Sequence, residues 1–325
     1  MILAGDLGGT HTRLAIFPPE PGAAALASAH FASADYPDFA ALLDAFRTHH
    51  PGLALTHCAL AVAGPVLDGR CHATNLPWHL DTREIACALD LAPGAVALLN
   101  DVEAAALGLP AVPSERFAVL QRGAPGARGN QALIAPGTGL GEAILYWDGT
   151  RHHAFATEGG HCDFAPRNEL EAALLHHAAH RFPAHVSVER LISGPGIALI
   201  HEFLCTRAGG HPAWMPPPGA DAGAAISARA LTREDPRCAQ TLALYAALLG
   251  AEAGNLALKA MAVGGVTIAG GIAPKILSVL TNGLLLENFL AKGRFRELLQ
   301  RIPLTICLDE RAPLLGGLRH ARELP

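Results

Sequence analysis

Short apolar runs rich in Val, Ile and Leu alternate along the chain with Ala-rich stretches whose apolar positions recur every three or four residues. The first pattern suits buried strands and the second amphipathic helices, so their alternation predicts an α/β fold. Strands are expected over residues 2–4, 12–17, 58–63, 96–99, 132–135, 142–147, 266–269 and 304–308, several of them bounded by Gly or Asn. Helices are expected over 39–49, 83–89, 102–109, 169–182, 196–207, 239–261, 275–282 and 314–322. In the longest, Leu242, Tyr245, Leu249, Ala253 and Leu256 form one apolar stripe. Asn168 ahead of Glu169-Leu170-Glu171 predicts a capping-box variant, with Asn168 capping and Glu171 reaching back.

A Pro-bracketed turn at 110–113 marks the best boundary, and 325 residues allow about two domains. The Gly- and Pro-rich segment 209–225 is expected to be a surface loop or insertion. Half the residues are hydrophobic and 16% are charged, which is too apolar for a disordered chain. A net charge of −5 makes a general partner such as nucleic acid or an anionic membrane unsuitable. The start, MILAGDLGG, lacks a basic region, and Asp6 interrupts its apolar run, so no secretory leader is expected. The stretch 242–272 is broken by Glu252, Asn255 and Lys259 and is not expected to span a membrane. Seven scattered cysteines without a C-x-x-C pair suit free thiols in a reducing cytoplasm.

Two segments echo each other. Gly5-Asp6-Leu7-Gly8-Gly9-Thr10 lies between two expected strands, and so does Pro136-Gly137-Thr138-Gly139-Leu140-Gly141. Such turns either need glycine for positive φ or present bare N–H groups to phosphate oxygens. A further pair, Gly270-Gly271, ends an apolar strand, and reads either as the tight exit turn of a buried strand or as an opening that admits a flat purine and its ribose. None of the three lysines, Lys259, Lys275 and Lys292, follows a glycine, which excludes a P-loop. Phosphates would then rest on backbone amides, threonine hydroxyls and a metal. Asp6 could hold Mg2+ through water, or serve as an Asx-turn residue. Asn100-Asp101 follows a strand and precedes a helix. Asp101 reads as an N-cap or as a carboxylate presented by the strand end, and the helix dipole would keep it ionised in either role. Glu158 and His161 flank two glycines, so a sharp turn could aim both at one ligand; His161 alone reads equally as a loop histidine. Glu189 reads alone as a first-turn acid of a following helix.

Together, Gly5-Asp6-Leu7-Gly8-Gly9-Thr10, Leu99-Asn100-Asp101, Pro136-Gly137-Thr138-Gly139-Leu140-Gly141, Glu158-Gly159-Gly160-His161, Ser193-Gly194-Pro195-Gly196 and Ala269-Gly270-Gly271-Ile272 resemble the bacterial glucokinase family, in its group without a zinc-binding cysteine cluster. The resemblance extends over nearly the whole chain. It implies two actin-like ATPase (ribonuclease H-like) α/β domains around a central cleft, residues 1–112 with 305–325 forming the small one and 113–304 the large one. It implies ATP and Mg2+ as cofactors, with phosphates on Gly8, Gly9, Thr10, Gly137, Thr138 and Gly139, and Gly270 and Gly271 beside the nucleoside. It implies that Asp101 is the base for the glucose 6-hydroxyl, and that Asn75, Asn100, Glu158, His161 and Glu189 bind the sugar. A cytoplasmic homodimer acting in glycolysis is also implied. His11 and Pro136 depart from the family pattern. A kinase for another hexose or an N-acetyl amino sugar, a sugar-sensing regulator and an actin-like or chaperone ATPase domain are the rival readings.

Overall fold

The computed structural model describes residues 1–50, 52, 54–73, 76–210, 212–216 and 220–325. They form two compact units, residues 1–114 with 309–325, and residues 115–308.

In the first unit, β1 (Ile2–Leu7), β2 (His11–Phe17) and β3 (Ala27–Ala32) make an antiparallel meander. Helix α1 (Phe39–His49) starts at Asp38, whose side chain accepts from Ala41 N, and β4 (His57–Val62) then joins β1 in parallel. Strands β5 (Val66–Leu67), β6 (Arg70–His72) and β7 (His79–Asp81) make a small separate sheet ahead of α2 (Thr82–Leu89). Strand β8 (Val96–Asn100) lies parallel to β4 and runs directly into α3 (Asp101–Gly108). The main sheet has the order β3-β2-β1-β4-β8. Its central strands β1 and β4 are buried along nearly their whole length, as a strand covered on both faces requires.

The second unit repeats this plan. After β9 (Phe117–Gln121), the strands β10 (Gln131–Pro136), β11 (Leu140–Trp147) and β12 (His152–Thr157) form an antiparallel meander. Helices α4 (Glu169–Arg181), α5 (Gly194–Arg207), α6 (Ala222–Thr232) and α7 (Pro236–Lys259) follow. Strand β13 (Gly265–Ile268) pairs in parallel with β10, and α8 (Leu277–Leu280), α9 (Leu284–Leu290) and α10 (Arg296–Gln300) lead to β14 (Leu304–Cys307). The order is β12-β11-β10-β13-β14-β9, with β9 added antiparallel at the edge. The stripe foreseen on α7 is buried throughout. Although α7 is long and apolar enough to cross a membrane, 72% of its most apolar window is buried inside the unit, so it is the core helix here.

Several expectations change. Strand β14 hydrogen-bonds to β13 and β9, so the chain leaves the second unit after Leu308 rather than before residue 305. Asp221 caps α6, so the segment 209–225 ends inside a helix. The helix expected over 275–282 shrinks to α8, and Gly283, at φ +100, separates it from α9. Asn168 caps α4 as foreseen, but Glu171 reaches past it to Arg167 N at 2.8 Å and also grips the Arg167 guanidinium.

The last helix, α11 (Ala312–Ala321), belongs to the first unit and packs on β1, β4 and α3. Its contact with α3 is backbone on backbone. A Cβ on Gly316 would run into the Ala104 carbonyl, and one on Gly108 into the Ala312 carbonyl. Gly316→Ala is therefore expected to cost about 1–3 kcal/mol, read as a lower urea midpoint at unchanged slope. An unchanged midpoint would mean that the two helices can part freely.

Candidate active site

The parallel strands β1, β4 and β8 end in register, with Leu7 opposite Val62 and Val62 opposite Asn100. Side chains at this edge are therefore presented together, the usual place for a ligand on such a sheet. Asp6 lies one residue before the end of β1 and Asp101 one residue beyond β8. The cap of α3 is Asn100, not Asp101: Asn100 Oδ1 accepts from Val102 N at 2.9 Å and Glu103 N at 3.3 Å. Its Nδ2 donates to Gly64 O at 3.2 Å, so both ends of the amide are engaged. Asp101 thus occupies the first turn, half-buried, where the helix dipole favours the carboxylate; its Oδ1 accepts from Val102 N at 2.9 Å.

Burial and the nearby Asp101 charge push the Asp6 carboxyl up to about 7, against the opposing pull of Arg13 at 3.8 Å. Arg13 is itself drawn to Glu310 at 2.8 Å. Two neighbouring carboxylates at one sheet edge are a hard, oxygen-only donor set that a divalent cation would stabilise, and magnesium fits it. The turn between them and β2 is held by buried Ser33, whose Oγ donates to Gly8 O at 2.7 Å and whose N donates to Thr10 O at 3.0 Å. Gly9 and Thr10 lie at the tip, Thr10 exposed.

In the second unit the β10–β11 turn carries Gly137, Thr138 and Gly139. None of Gly8, Gly9, Gly137 or Gly139 has positive φ, so turn conformation does not explain these glycines. Close approach does explain Gly139: its Cβ would lie 2.5 Å from Glu189 Oε2. Gly137 faces open space, and Thr138 is exposed. The turn abuts the N-terminus of α5, where Gly194 N donates to Gly137 O at 2.8 Å and Ser193 is the cap. It also abuts Gly270, at φ +80, whose Cβ would lie 2.5 Å from Pro136 O; Gly271 is the next residue. The two glycine segments of this unit are therefore one structure.

Glu158 and His161 bracket a single 3-10 turn and stand 3.7 Å apart, both exposed. Glu189 is held elsewhere, its Oε2 accepting from Leu140 N at 2.9 Å. Cys162 O accepts from Val188 N at 3.0 Å, so the Glu158–His161 loop and the Glu189 segment share one corner. Asn75 lies outside the described residues.

Glu142 belongs to none of the sequence motifs. Its side chain is 1% exposed in the apolar strand β11, and its Oε1 has no hydrogen-bond partner among the described residues. Its Oε2 lies where a Cβ on Gly159 would be, so the Gly159-Gly160 loop rests on it. A lone acid at an inward position of an apolar strand was the available signal. Burial and the Glu252 charge push this carboxyl from 4.5 up to about 7. Below pH 4.5 both the folded and unfolded chains hold the proton. Between there and pH 7 only the folded chain holds it, so stability falls as pH rises, by about 3 kcal/mol in all. Glu142→Gln is expected to remove this component, measured by urea unfolding of both proteins at pH 5 and pH 8. An identical pH response in the two would overturn the assignment.

A sequence profile described as glucokinase matches residues 3–324. A glucokinase of Nostoc punctiforme is 38% identical over 341 residues, covering 100% of this chain and 99% of that protein. The crystal structure of a glucokinase from an Antarctic psychrotroph superposes with a TM-score of 0.84 at 31% identity, covering 99% of this chain and 98% of that one. A ROK family glucokinase from Streptomyces griseus, solved with glucose and AMPPNP, shares the fold at TM-score 0.68 and 19% identity, covering 99% of each chain.

Proposed function

The chain belongs to the glucokinase family, and on that premise we propose that Asp101 takes the proton of the glucose 6-hydroxyl as that oxygen receives the terminal phosphoryl group of ATP. The activity is ATP-dependent phosphorylation of glucose to glucose 6-phosphate. The reading rests chiefly on one observation. Asn100 takes the capping role and leaves Asp101 in the first turn of α3, beside Asp6 at the end of the parallel strands.

Phosphoryl transfer has a loose transition state, so placing the hydroxyl in line with the phosphorus outweighs early deprotonation. Asn100 serves by fixing Asp101. The phosphates rest on the Gly8-Gly9-Thr10 and Gly137-Thr138-Gly139 turns, where bare N–H groups and the N-terminus of α5 offer positive potential. Gly270 and Gly271 leave the backbone bare for the purine and ribose. Mg2+, held by Asp6 through water, would neutralise phosphate charge when bound. Glu158, His161 and Glu189 hydrogen-bond the sugar hydroxyls, with Glu189 exchanging its Leu140 contact for one of them, and Asn75 completes the set. The protein acts as a cytoplasmic homodimer, which sedimentation of the purified chain would test.

A coupled assay with ATP and a panel of hexoses tests the reading. Glucose is expected to have the highest kcat/KM. A higher value for mannose, fructose or an N-acetyl amino sugar would reassign the substrate. ATP hydrolysis at the same rate without sugar would overturn the kinase reading altogether.

A further inference from the structure

Glu142 stands on β11 among buried Leu140, Ala143 and Leu145, with Oε1 unpartnered among the described residues. A buried acid with an unpaired oxygen costs stability, and a valine would suit an inward strand position without that cost. The charges that act on it do not offset the cost: Glu252 repels it, and Lys259 is already paired with Glu252 at 3.3 Å. What the carboxyl does touch is the loop that bears Glu158 and His161. Its Oε2 takes the place of a Cβ on Gly159, and Thr157 Oγ lies 3.2 Å from the same point. Thr157 is the register partner of Glu142 across β11 and β12. The Thr157 hydroxyl donates to Glu142 O at 3.3 Å and accepts from Gly159 N at 3.2 Å. A Cβ on Gly160 would run into the Leu140 carbonyl. Neither glycine has positive φ, so close approach to β11, not turn conformation, requires them. Leu140 N in turn donates to Glu189 Oε2 at 2.9 Å. One short stretch of β11 thus bears on Glu158, His161 and Glu189 together.

We propose that Glu142 is a positioning residue for the sugar site, a role that rests on the reading of Glu158 and His161 as sugar ligands: its side chain props the Gly159-Gly160 turn and so fixes the angle at which those two residues meet the glucose hydroxyls. Two adjacent glycines bring no side chains of their own to hold a turn, and their backbone freedom is large. The orientation of the flanking residues then depends on what the turn rests against. A glutamate side chain is long enough to reach the turn from the strand, whereas a valine in its place stops short. Without the prop, each glucose must order the loop as it binds, and that cost weakens binding. Glu142 touches the loop and not the reacting atoms, so its effect falls on KM and leaves kcat nearly alone. A position that costs stability and serves a neighbouring ligand loop is the expected signature of a functional residue inside an otherwise apolar strand.

The test compares Glu142→Val and Glu142→Gln with the wild type, each as the full chain. Glu142→Val is expected to raise the glucose KM ~10-fold while kcat changes less than ~2-fold. Its urea midpoint should be no lower than that of the wild type, because the unpaired acid is gone. Glu142→Gln keeps the length of the prop and should stay within ~2-fold of the wild-type KM. A merely structural role would give the opposite split, a lower midpoint with KM intact. An equal KM in wild type and Glu142→Val, or an equal rise in Glu142→Val and Glu142→Gln, overturns the positioning role. If Glu142→Val does not fold, Glu142→Asp retracts the same acid by one carbon: a raised KM supports the role and an unchanged one overturns it. Hydrogen exchange of the free protein reads the prop without any sugar. The peptide containing residues 158–161 should exchange faster in Glu142→Val than in the wild type or Glu142→Gln. Equal exchange in all three overturns the role whatever the substrate is. A wild type that does not phosphorylate glucose would overturn the kinase reading instead, and the exchange result would stand apart from it.

Discussion

Asp101→Asn is expected to lower kcat by ~10²–10⁴-fold while glucose still binds, with its dissociation constant read by calorimetry. The substitution keeps the side-chain oxygen that accepts from Val102 N, and it leaves Asn100 as the cap, so α3 should start where it does now. What it removes is the negative charge proposed to accept the hydroxyl proton. A positioning role alone would leave much of the rate intact, because the amide still accepts a hydrogen bond. Turnover near the wild-type rate would therefore remove Asp101 from proton transfer. The same variant should release Asp6 from a neighbouring charge that now raises its pKa.

Glu158→Gln is expected to raise the glucose KM by roughly 10–150-fold, corresponding to loss of a hydrogen bond to a charged group worth about 1.5–3 kcal/mol. A carboxylate accepts from two hydroxyls, whereas an amide presents one acceptor and one donor, and the donor meets a hydroxyl wrongly. Gly159 rests on Glu142 and Gly160 lies against the Leu140 carbonyl, so the loop cannot readily turn to compensate. The effect should fall on KM more than kcat if Glu158 binds the substrate and the transition state alike. An unchanged KM would place Glu158 outside the sugar site.

The two predictions differ in how far the sequence alone supports them. That Asn100 and Asp101 stand at a strand end was legible, because an apolar run met a helical pattern there. Which of them caps the helix was not legible, because Asn and Asp are nearly equal as caps. The choice depends on Gly64 O, 36 residues away, which receives the Asn100 amide. For Glu189 the sequence suggested an acid in a helical first turn. The fold places its carboxylate on the Leu140 N–H, a contact across 49 residues that no local pattern encodes.

Local pattern determined the elements whose own residues suffice to form them. The buried strands β1, β4, β10 and β13 and the long helix α7 declare themselves by apolar runs and three-four spacing, and the paired glycine turns by composition. Tertiary structure alone decided the elements that borrow their stability from neighbours. Strands β3 and β12 are sheet-edge segments of alternating exposure, ASAHFA and HHAFAT in sequence, with little strand preference of their own, and they exist because β2 and β11 offer hydrogen bonds to them. The exit from the second unit after Leu308 was set in the same way, by the pairing of β14 with β9 and β13. So was the raised pKa of Glu142, since an acid's proton affinity depends on what surrounds it in space and not on its neighbours in the chain.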